Sequence, residues 1–392
     1  MSSSANAGSG IGTLAECIAI VRAAERNAEA ALAARYPRSL VGTNRDVVDA
    51  MRAVIGWNVM WHPTAFVVTP VSRTFGKQPF EMWLWDTYFS TLLSAESDKA
   101  LAYSNLIEIT RPTVAGNVPG FRTQDTSVQD RSKPYVGALV LLRLYEQFSD
   151  EWIVELLFDD LLAWANWVAL RRTEGPSNLV VIGSDHVATG QSDAHQCTKT
   201  AVIWESGLDN SPLYDPDEIA GLFTPNATVG AECNFHFYDA GMTGLYLSTL
   251  DSLATLATAI GRNGTAATLR ARHDAMAKAM RETLWSDGLG VFVNTGSSPP
   301  HRASSRITPF SFHAMLSGAA TAAQARTMAQ QWLLTDAGFC LTGQNESRPG
   351  RGEACVYGMP SIAHSDPAWK DNTYWRGRTW GPMNWLVYAG LR

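Results

Sequence analysis

The spacing of apolar residues is the strongest constraint on the fold, because it follows the period of an α-helix in many short segments. Loops containing Gly and Pro separate these segments, and Thr13 with Glu16 forms a capping box before the first. Asn44 is a second candidate cap. The pattern predicts roughly eleven helices, over 14–34, from 46, and over 83–95, 98–110, 134–148, 151–173, 234–261, 264–285, 308–318, 321–335 and 382–390. Short helices joined by short loops pack as antiparallel neighbours, so we expect an all-α protein.

The domain organisation predicted from the sequence is a disordered leader over 1–12 and a single domain over 13–392. The leader is rich in Ser, Gly and Ala and lacks the apolar core of a signal peptide. No apolar run reaches the length of about 18 residues needed to cross a membrane. We therefore expect a cytoplasmic protein, in which the sequons at Asn226, Asn263 and Asn345 are chance matches.

Composition excludes some classes of function. The net charge of −6, without a basic block, argues against nucleic acid as a partner. The five cysteines are odd in number and scattered, which argues against a disulfide framework or a zinc site. No metal or other cofactor is expected. The 14 Trp residues suit either a carbohydrate-binding cleft or a thick core, and the sequence alone does not decide between them.

A candidate acid lies in the segment from Trp204 to Pro212, Trp-Glu-Ser-Gly-Leu-Asp-Asn-Ser-Pro. Gly207 and Pro212 argue against a regular helix there, and the segment lies in a long non-helical stretch, 174–233, with a short strand expected at 179–182. A carboxylic acid covered by aromatic rings can stay protonated near neutral pH and act as a proton donor. The alternative is a structural loop with Trp204 in the core.

A second aromatic cluster lies near the end of the chain, from Tyr374 to Trp385, and contains Trp375, Arg376 and Trp380. Arginine forks bind carboxylates or neighbouring hydroxyls, and aromatic rings suit a ligand with apolar faces. Such a composition favours a sugar site. The alternative is a buried aromatic corner with arginines extending outward.

Two further segments carry charged residues among apolar ones. Asp86 follows Trp85 in the apolar stretch 80–89, so it is expected to be a buried carboxylate that needs partners or a function. Asp130 and Arg131 precede the apolar helix through Leu144. They are expected either to pair and cap that helix or to contact a ligand.

Together these segments resemble glycoside hydrolase family 63, which includes processing α-glucosidase I and the shorter mannosylglycerate and glucosylglycerate hydrolases. The matching motifs occur in the family's order and cover most of the chain from about Phe80. They are Trp85-Asp86-Thr87-x-Phe89, Gly116-Asn117-Val118-Pro119, Asp130-Arg131-Ser132-x-Pro134, Glu205-Ser206-Gly207-x-Asp209-Asn210-Ser211-Pro212 and Tyr374-Trp375-Arg376-Gly377. Each motif is weak alone, whereas five in order form a strong signal.

The resemblance implies an (α/α)6 barrel and an inverting, exo-acting hydrolase of α-linked sugars. The family's general acid falls on Asp209, with Trp204 and Glu205 as neighbours. The residues implied to bind the sugar or to form the wall of its subsite are Trp85, Asp86, Arg131, Trp204, Glu205, Tyr374, Trp375, Arg376 and Trp380.

Two departures from the family's pattern are expected to matter. Lys133 stands where the family more usually has Gln, which puts the sugar contacts at that position in question. The family's general base is a Glu that follows the Tyr-Trp-Arg-Gly motif, yet 377–392 contain no Asp or Glu. The sequence therefore predicts a barrel without its last helix. The chain is then a fragment, an enzyme with impaired activity, or an enzyme whose general base is another acid. Glu346, Glu353 and Asp366 are the candidate substitutes.

The function expected from all this is the removal of an α-glucosyl or α-mannosyl unit from a small substrate, a glycerate glycoside or a short α-glucoside. Two alternatives remain: a trehalase-like or glucoamylase-like α-barrel hydrolase, and a catalytically inactive sugar-binding protein. The expected partner is a small carbohydrate, not nucleic acid or a membrane. The sequence does not indicate an oligomeric state.

Overall fold

The computed structural model describes residues 13–35, 45–62, 65–68, 81–123, 127–188, 190–340, 355 and 358–392. The chain divides into two compact units, Met1–Trp57 and Asn58–Arg392. The leader predicted over 1–12 and the predicted cap Asn44 lie outside the described residues. The prediction that 13–392 form one domain stays a prediction.

The first unit contains α1 (Leu14–Arg35), and most of α2 (Arg45–Asn58) also belongs to it. The predicted capping box is confirmed, since the backbone N–H of Thr13 donates to Glu16 and that of Glu16 donates to Thr13 Oγ1. These two bonds satisfy backbone donors that have no partner within the helix. Apolar side chains such as Leu14 and Ile20 are exposed.

The second unit is mainly helical, as predicted. Its α-helices are α3 (Leu84–Ala95), α4 (Lys99–Thr110), α5 (Gly137–Phe148), α6 (Glu151–Arg171), α7 (Lys199–Glu205), α8 (Ala240–Ala259), α9 (Asn263–Thr283), α10 (Ala322–Met328) and α11 (Gly381–Leu391). A π-helical turn, Ala329–Leu333, extends α10, and 3₁₀ segments cover Pro212–Tyr214, Pro309–Met315 and Pro367–Asp371. Periodicity predicted all of these α-helices except α7.

Helix α8 is the centre of the core. Apolar and small residues cover its whole circumference, which is the pattern of a helix buried on all sides. It packs against α5, α6, α9 and the 3₁₀ segment Pro309–Met315, while α3 pairs with α4. The glycines of α8 permit this packing, because a Cβ at Gly244 would lie 2.6 Å from the backbone of His313.

Short antiparallel strands connect the helices. They are β1 (Val59–His62), β2 (Ala65–Val68), β3 (Met82–Trp83), β4 (Phe121–Arg122), β5 (Ser127–Val128), β6 (Thr173–Glu174), β7 (Leu179–Val180), β8 (Gly183–Asp185), β9 (Glu232–Asn234), β10 (Phe237–Tyr238), β11 (Trp285–Ser286), β12 (Val291–Phe292) and β13 (Thr295–Gly296). The pairs are β1–β2, β3–β4–β5, β6–β7, β8–β9, β10–β13 and β11–β12. Gly183 pairs with Asn234, so β8 and β9 bring together the two ends of the segment between them, which contains α7.

The prediction against a disulfide framework is wrong, since four of the five cysteines form two disulfides. Cys197 is bonded to Cys233 and Cys340 to Cys355, with Cα–Cα distances of 5.2 and 4.9 Å. Separations of 36 and 15 residues match no recurring motif, so the spacing carried no signal. Cys17 takes part in neither bond. None of the described helices is both long and apolar enough to cross a membrane.

Candidate active site

Asp209 lies in the irregular segment after α7. This helix continues through Trp204 and Glu205, so the expected absence of regular helix is wrong for these two residues and correct from Ser206 onward. Gly207 follows the end of the helix with a φ of +73°, a conformation that favours glycine. A Cβ at Gly207 would also lie 2.6 Å from the Trp85 ring. The segment can therefore approach Trp85 only because residue 207 has no side chain.

Asp209 is in direct contact with the cluster near the end of the chain. Tyr374 donates its hydroxyl hydrogen bond to Asp209 Oδ2 over 2.9 Å, and the backbone N–H of Trp375 donates to Asn210 Oδ1 over 2.8 Å. Lys133 Nζ lies 3.4 Å from Asp209 Oδ1. Three segments that are far apart in the sequence thus meet at this carboxylate, whose side chain is 25% exposed.

Aromatic rings form a continuous wall beside Asp209. Trp375 and Trp380 are stacked with centroids 4.1 Å apart and planes at 9°, and the Trp85 ring lies 5.7 Å from the Trp375 ring. The Trp380 indole N–H donates to the carbonyl oxygen of Tyr374, which fixes the outer ring. Trp85 and Trp375 are buried and Trp380 is half-buried, so only the outer ring offers surface to a ligand, and the predicted contact with sugar stays a prediction.

Asp86 lies in the first turn of α3, next to Trp85. Burial raises the pKa of Asp86 to about 6, an effect that Lys133 opposes and that Asp209 increases. The charges of Lys133 and Asp209 therefore both influence the ionisation of Asp86. Lys133 also lies over the ring of Trp83, 5.6 Å from its centroid. Sequence reasoning assigned no role to Trp83.

Glu205 belongs to a buried charge network. Its carboxylate accepts hydrogen bonds from Arg172 Nε and from the backbone N–H groups of Ser132 and Gly183. Arg172 also pairs with Asp185, 2.7 Å away. Burial raises the pKa of Glu205, while Arg172 and the backbone donors oppose the shift. Sequence reasoning missed Arg172, which is fully buried at the end of α6.

Arg131 pairs with two carboxylates. Its guanidinium lies 2.8 Å from Asp130 and 2.5 Å from Asp193, and it also lies over the Trp204 ring. The expected pairing of Asp130 with Arg131 is thus present, but the expected cap is not, because the N-cap position of α5 is Val136 and has no side-chain cap bond. The His195 ring packs edge-on against Trp204. Trp204 and Arg131 form a cluster of their own, and their predicted contact with sugar stays a prediction.

Arg376 is likewise held by two carboxylates, Asp215 and Asp371, each at 2.7 Å. These ion pairs fix the loop that presents Tyr374 and Trp375. They also neutralise the charge of the guanidinium, which the sequence predicted to bind sugar hydroxyls or a substrate carboxylate. That role stays a prediction.

Of the three candidates for the general base, only Asp366 lies within the described residues. Asp366 is paired with Arg306 at 2.7 Å and accepts a hydrogen bond from the N–H of Ala368 at the start of a 3₁₀ segment. A carboxylate engaged in this way is poorly suited to activate water. Glu346 and Glu353 lie outside the described residues.

The arrangement as a whole combines a partly exposed carboxylate, a buried cation and a wall of indoles. Such a site can hold a ring that is apolar on its faces and polar at its edges, and can exchange a proton with an atom beside the wall. This is the chemistry required at a glycosidic bond.

Comparison with known proteins supports this interpretation. Curated relatives include the mannosylglycerate hydrolases MGH1 and MGH2 of Selaginella moellendorffii, each 22% identical, with alignments that cover 81% of this chain and 70% of the relative. Among solved structures, the GH63 mannosylglycerate hydrolase from Thermus thermophilus in complex with glucose has a TM-score of 0.63 at 19% identity, covering 88% of this chain and 87% of that one.

The neutral trehalase Nth1 from Saccharomyces cerevisiae has a TM-score of 0.60 at 14% identity, covering 88% of this chain and 69% of that one. These similarities confirm the predicted (α/α)6 fold. Residues 78–392 match the family described as the mannosylglycerate hydrolase MGH1-like glycoside hydrolase domain. Because this match spans most of the chain, the protein belongs to the MGH1-like glycoside hydrolases, which agrees with the resemblance to family 63.

Proposed function

We propose that this chain is an exo-acting, inverting glycoside hydrolase that removes an α-linked glucosyl or mannosyl unit from a small substrate. The supporting observation is the position of Asp209, which accepts a hydrogen bond from Tyr374 at the edge of the Trp85–Trp375–Trp380 wall. A proton donor beside a surface that fits a sugar ring is the arrangement that glycosidic cleavage needs.

Asp209 is the general acid in this proposal. It gives its proton to the glycosidic oxygen as the bond from the anomeric carbon to that oxygen breaks, so the leaving group departs as a neutral alcohol. Lys133 Nζ and the Tyr374 hydroxyl both contact the carboxyl group. They stabilise the carboxylate that proton transfer leaves behind.

The sugar ring rests its C–H face on Trp380, the half-buried outer ring of the indole wall, and polar groups fix its hydroxyls. Asp86 is a half-buried acceptor beside Trp85, and its ionisation is influenced by Lys133 and Asp209. Desolvation makes its charged form costly, and a ligand hydroxyl would offset part of that cost.

The water that attacks the anomeric carbon needs a base on the opposite face of the ring, about 6.5–9.5 Å from the acid. Of the three substitutes named from the sequence, Asp366 is already engaged by Arg306 and is therefore set aside. Glu346 and Glu353 remain candidates.

The preferred substrate is a glycerate glycoside or a short α-glucoside. Two curated relatives carry the name mannosylglycerate hydrolase, and the structurally similar Thermus enzyme was solved in complex with Tris and D-glycerate. The similarity to a trehalase favours trehalose as the second candidate substrate.

The test is an assay of mannosylglycerate, kojibiose, trehalose and maltose, with the wild type, Asp209→Asn and Asp217→Asn. We expect hydrolysis of the glycerate glycoside or kojibiose. Asp209→Asn should lower kcat by about 10²–10⁴-fold without loss of sugar binding. Asp217 lies in the same loop but is exposed, so its variant should behave as the wild type.

Each result decides one part of the proposal. Turnover of trehalose or maltose alone would favour a trehalase-like or glucoamylase-like enzyme over a hydrolase of glycerate glycosides, and a first-formed product that retains its anomeric configuration would refute inversion. Sugar binding with no turnover by the wild type on any substrate would favour the alternative of an inactive sugar-binding protein.

A further inference from the structure

The loop between the 3₁₀ segment Pro212–Tyr214 and β9 has a feature that the proposed hydrolysis does not use. Residues 224–230 are all exposed and contain the sequence Asn226-Ala227-Thr228. An Asn-x-Thr sequence on an exposed loop is an acceptor for N-glycans when the chain enters a secretory compartment. Asn226 can therefore carry a glycan if the loop is accessible and if the protein enters such a compartment.

Asn226 has a side-chain conformation that suits an acceptor. Its Oδ1 accepts a hydrogen bond from the backbone N–H of Thr228 over 3.0 Å, which is an Asx-type turn. The bond orients the side chain through its oxygen, and the amide nitrogen Nδ2 donates to no partner among the described residues. Nδ2 is the atom to which a glycan is attached.

The disulfides indicate the compartment. The bond between Cys197 and Cys233 closes a segment that contains both Asp209 and Asn226, and a second bond joins Cys340 to Cys355. Four of the five cysteines are thus oxidised. Structural disulfides persist in oxidising compartments and are rare in the cytosol. The bonds therefore weigh against the cytoplasmic location expected from the sequence.

We propose that this protein folds in an oxidising secretory compartment and carries an N-linked glycan on Asn226. The disulfides indicate the compartment, and the exposed Asn-x-Thr loop supplies the acceptor within it. Val229, which is 64% exposed three residues after Asn226, would then lie close to the glycan.

The modification is a group transfer from a diphosphate-activated oligosaccharide. A bond forms between Asn226 Nδ2 and the anomeric carbon of the first sugar, and the bond from that carbon to the diphosphate oxygen breaks. Nδ2 loses one proton, and the diphosphate leaves with the bonding electron pair. No oxidant or reductant takes part.

Thr228 offers a matched pair of variants. Thr228→Ser keeps the hydroxyl group that the acceptor sequence requires, whereas Thr228→Ala loses it. The exposed Asn263 begins a second such sequence, Asn263-Gly264-Thr265, at the start of α9. An Asn263→Gln background keeps signals from the two positions separate.

The experiment expresses the full chain in eukaryotic cells behind a secretion signal. Peptides are analysed by mass spectrometry after enzymatic release of N-glycans in ¹⁸O-labelled water, which marks each Asn that carried a glycan. Thiols are alkylated before digestion without reduction. Protein retained in the cells is analysed in the same way, so poor secretion does not prevent a result.

We expect label at Asn226 in the wild type and in Thr228→Ser, at least a tenfold lower occupancy in Thr228→Ala, and a disulfide-linked peptide pair containing Cys197 and Cys233. An unlabelled Asn226 in wild-type protein would overturn the glycan assignment. Alkylated Cys197 and Cys233 in that same protein would overturn the disulfide on which the assignment of the compartment rests. Neither result depends on whether the protein hydrolyses a sugar.

Discussion

The carboxylate of Glu205 is fully buried and contacts an equally buried guanidinium, that of Arg172, at 2.7 Å. It also accepts hydrogen bonds from the backbone N–H groups of Ser132 and Gly183. One side chain thereby joins the segment before α5, the end of α6 and the start of β8. These contacts support a structural role, whereas the family resemblance implies a role in the sugar site.

Replacing Glu205 by Gln separates the two roles. The change leaves the charge of Arg172 only partly compensated in the core, so we expect a loss of about 3–5 kcal/mol in the free energy of unfolding. Urea denaturation measures it. Glu146→Gln is the control, because its pair with Arg143 is exposed and should contribute less than about 1 kcal/mol. A stable Glu205→Gln protein with impaired sugar binding would instead support the role in the sugar site.

Asp86 gives a prediction about pH. Its pKa in the folded protein is raised from 3.8 to about 6, so the folded state holds the proton more tightly than the unfolded chain does. Ionisation of Asp86 therefore lowers stability progressively between about pH 4 and pH 6, and the full cost remains above pH 6. This difference in pKa corresponds to at most about 3 kcal/mol.

Asp86→Asn should consequently stabilise the protein at pH 7.5 and have a much smaller effect at pH 4.5, while weakening sugar binding. Urea denaturation at the two pH values measures the first effect, and calorimetric titration with sugar measures the second. Lys133→Gln is a useful companion variant, because loss of a cation that lowers the pKa of Asp86 should raise that pKa further. Destabilisation by Asp86→Asn at pH 7.5 would contradict this account.

Much of the candidate site could be predicted at the level of single residues, though only with the family resemblance. The residue types in each motif indicated a sugar site, but no local pattern predicts that Tyr374 contacts Asp209 across 165 positions. The ion-pair partners of Arg131 and Arg376 were even harder to predict from the sequence. Asp193, Asp215 and Asp371 lie in loops whose paths depend on tertiary packing, so their ion pairs have no signal in the sequence.

At the scale of secondary structure, the long helices were predictable, as was α10 with its π-helical extension, whereas the equally short α7 was not. Helices such as α6 and α9 have many turns, which give the apolar period enough length to be recognised. Helix α7 has seven residues and is closely followed by Gly207, so its composition resembles that of a turn. Its N-terminal cap, Thr198, was the one local signal, since Thr198 accepts a hydrogen bond from the N–H of Ala201.

The disulfide Cys197–Cys233 joins the N-terminal side of α7 to β9 and closes the segment that carries Asp209. Replacing both cysteines by Ser should lower the free energy of unfolding by about 2–4 kcal/mol, because the unfolded chain gains freedom over a separation of 36 residues. Thermal denaturation without reductant measures the change. Cys17→Ser is the control and should have no effect, because Cys17 is exposed and joins neither disulfide. An unchanged melting temperature in the double variant would show that the bond does not stabilise this segment.

At the scale of the whole molecule, the buried core and the family match coincide. Among the residues whose burial the structure describes, the buried core cluster begins at Met82, with Met60 packed against it, and the match begins at residue 78. The first unit ends at Trp57, and several of its apolar side chains, including Val47 and Val54, are exposed. Periodicity predicted helices in both units equally well, but periodicity does not tell whether two helices share one core. The limits of the cooperative domain therefore depend on which helices pack together, and the sequence pattern does not give them.

A chain that begins at Asn58 tests this extent. We expect residues 58–392 to unfold with a melting temperature within about 2 °C of the full chain and with unchanged sugar affinity, because the core cluster is retained. Differential scanning calorimetry and titration with sugar are the measurements. A chain that begins at residue 96 is the control, since it lacks α3 together with Trp85 and Asp86, and it should not fold. If removal of 1–57 lowered the melting temperature by more than about 5 °C, residues 13–57 would belong to the same cooperative domain, as the sequence predicted.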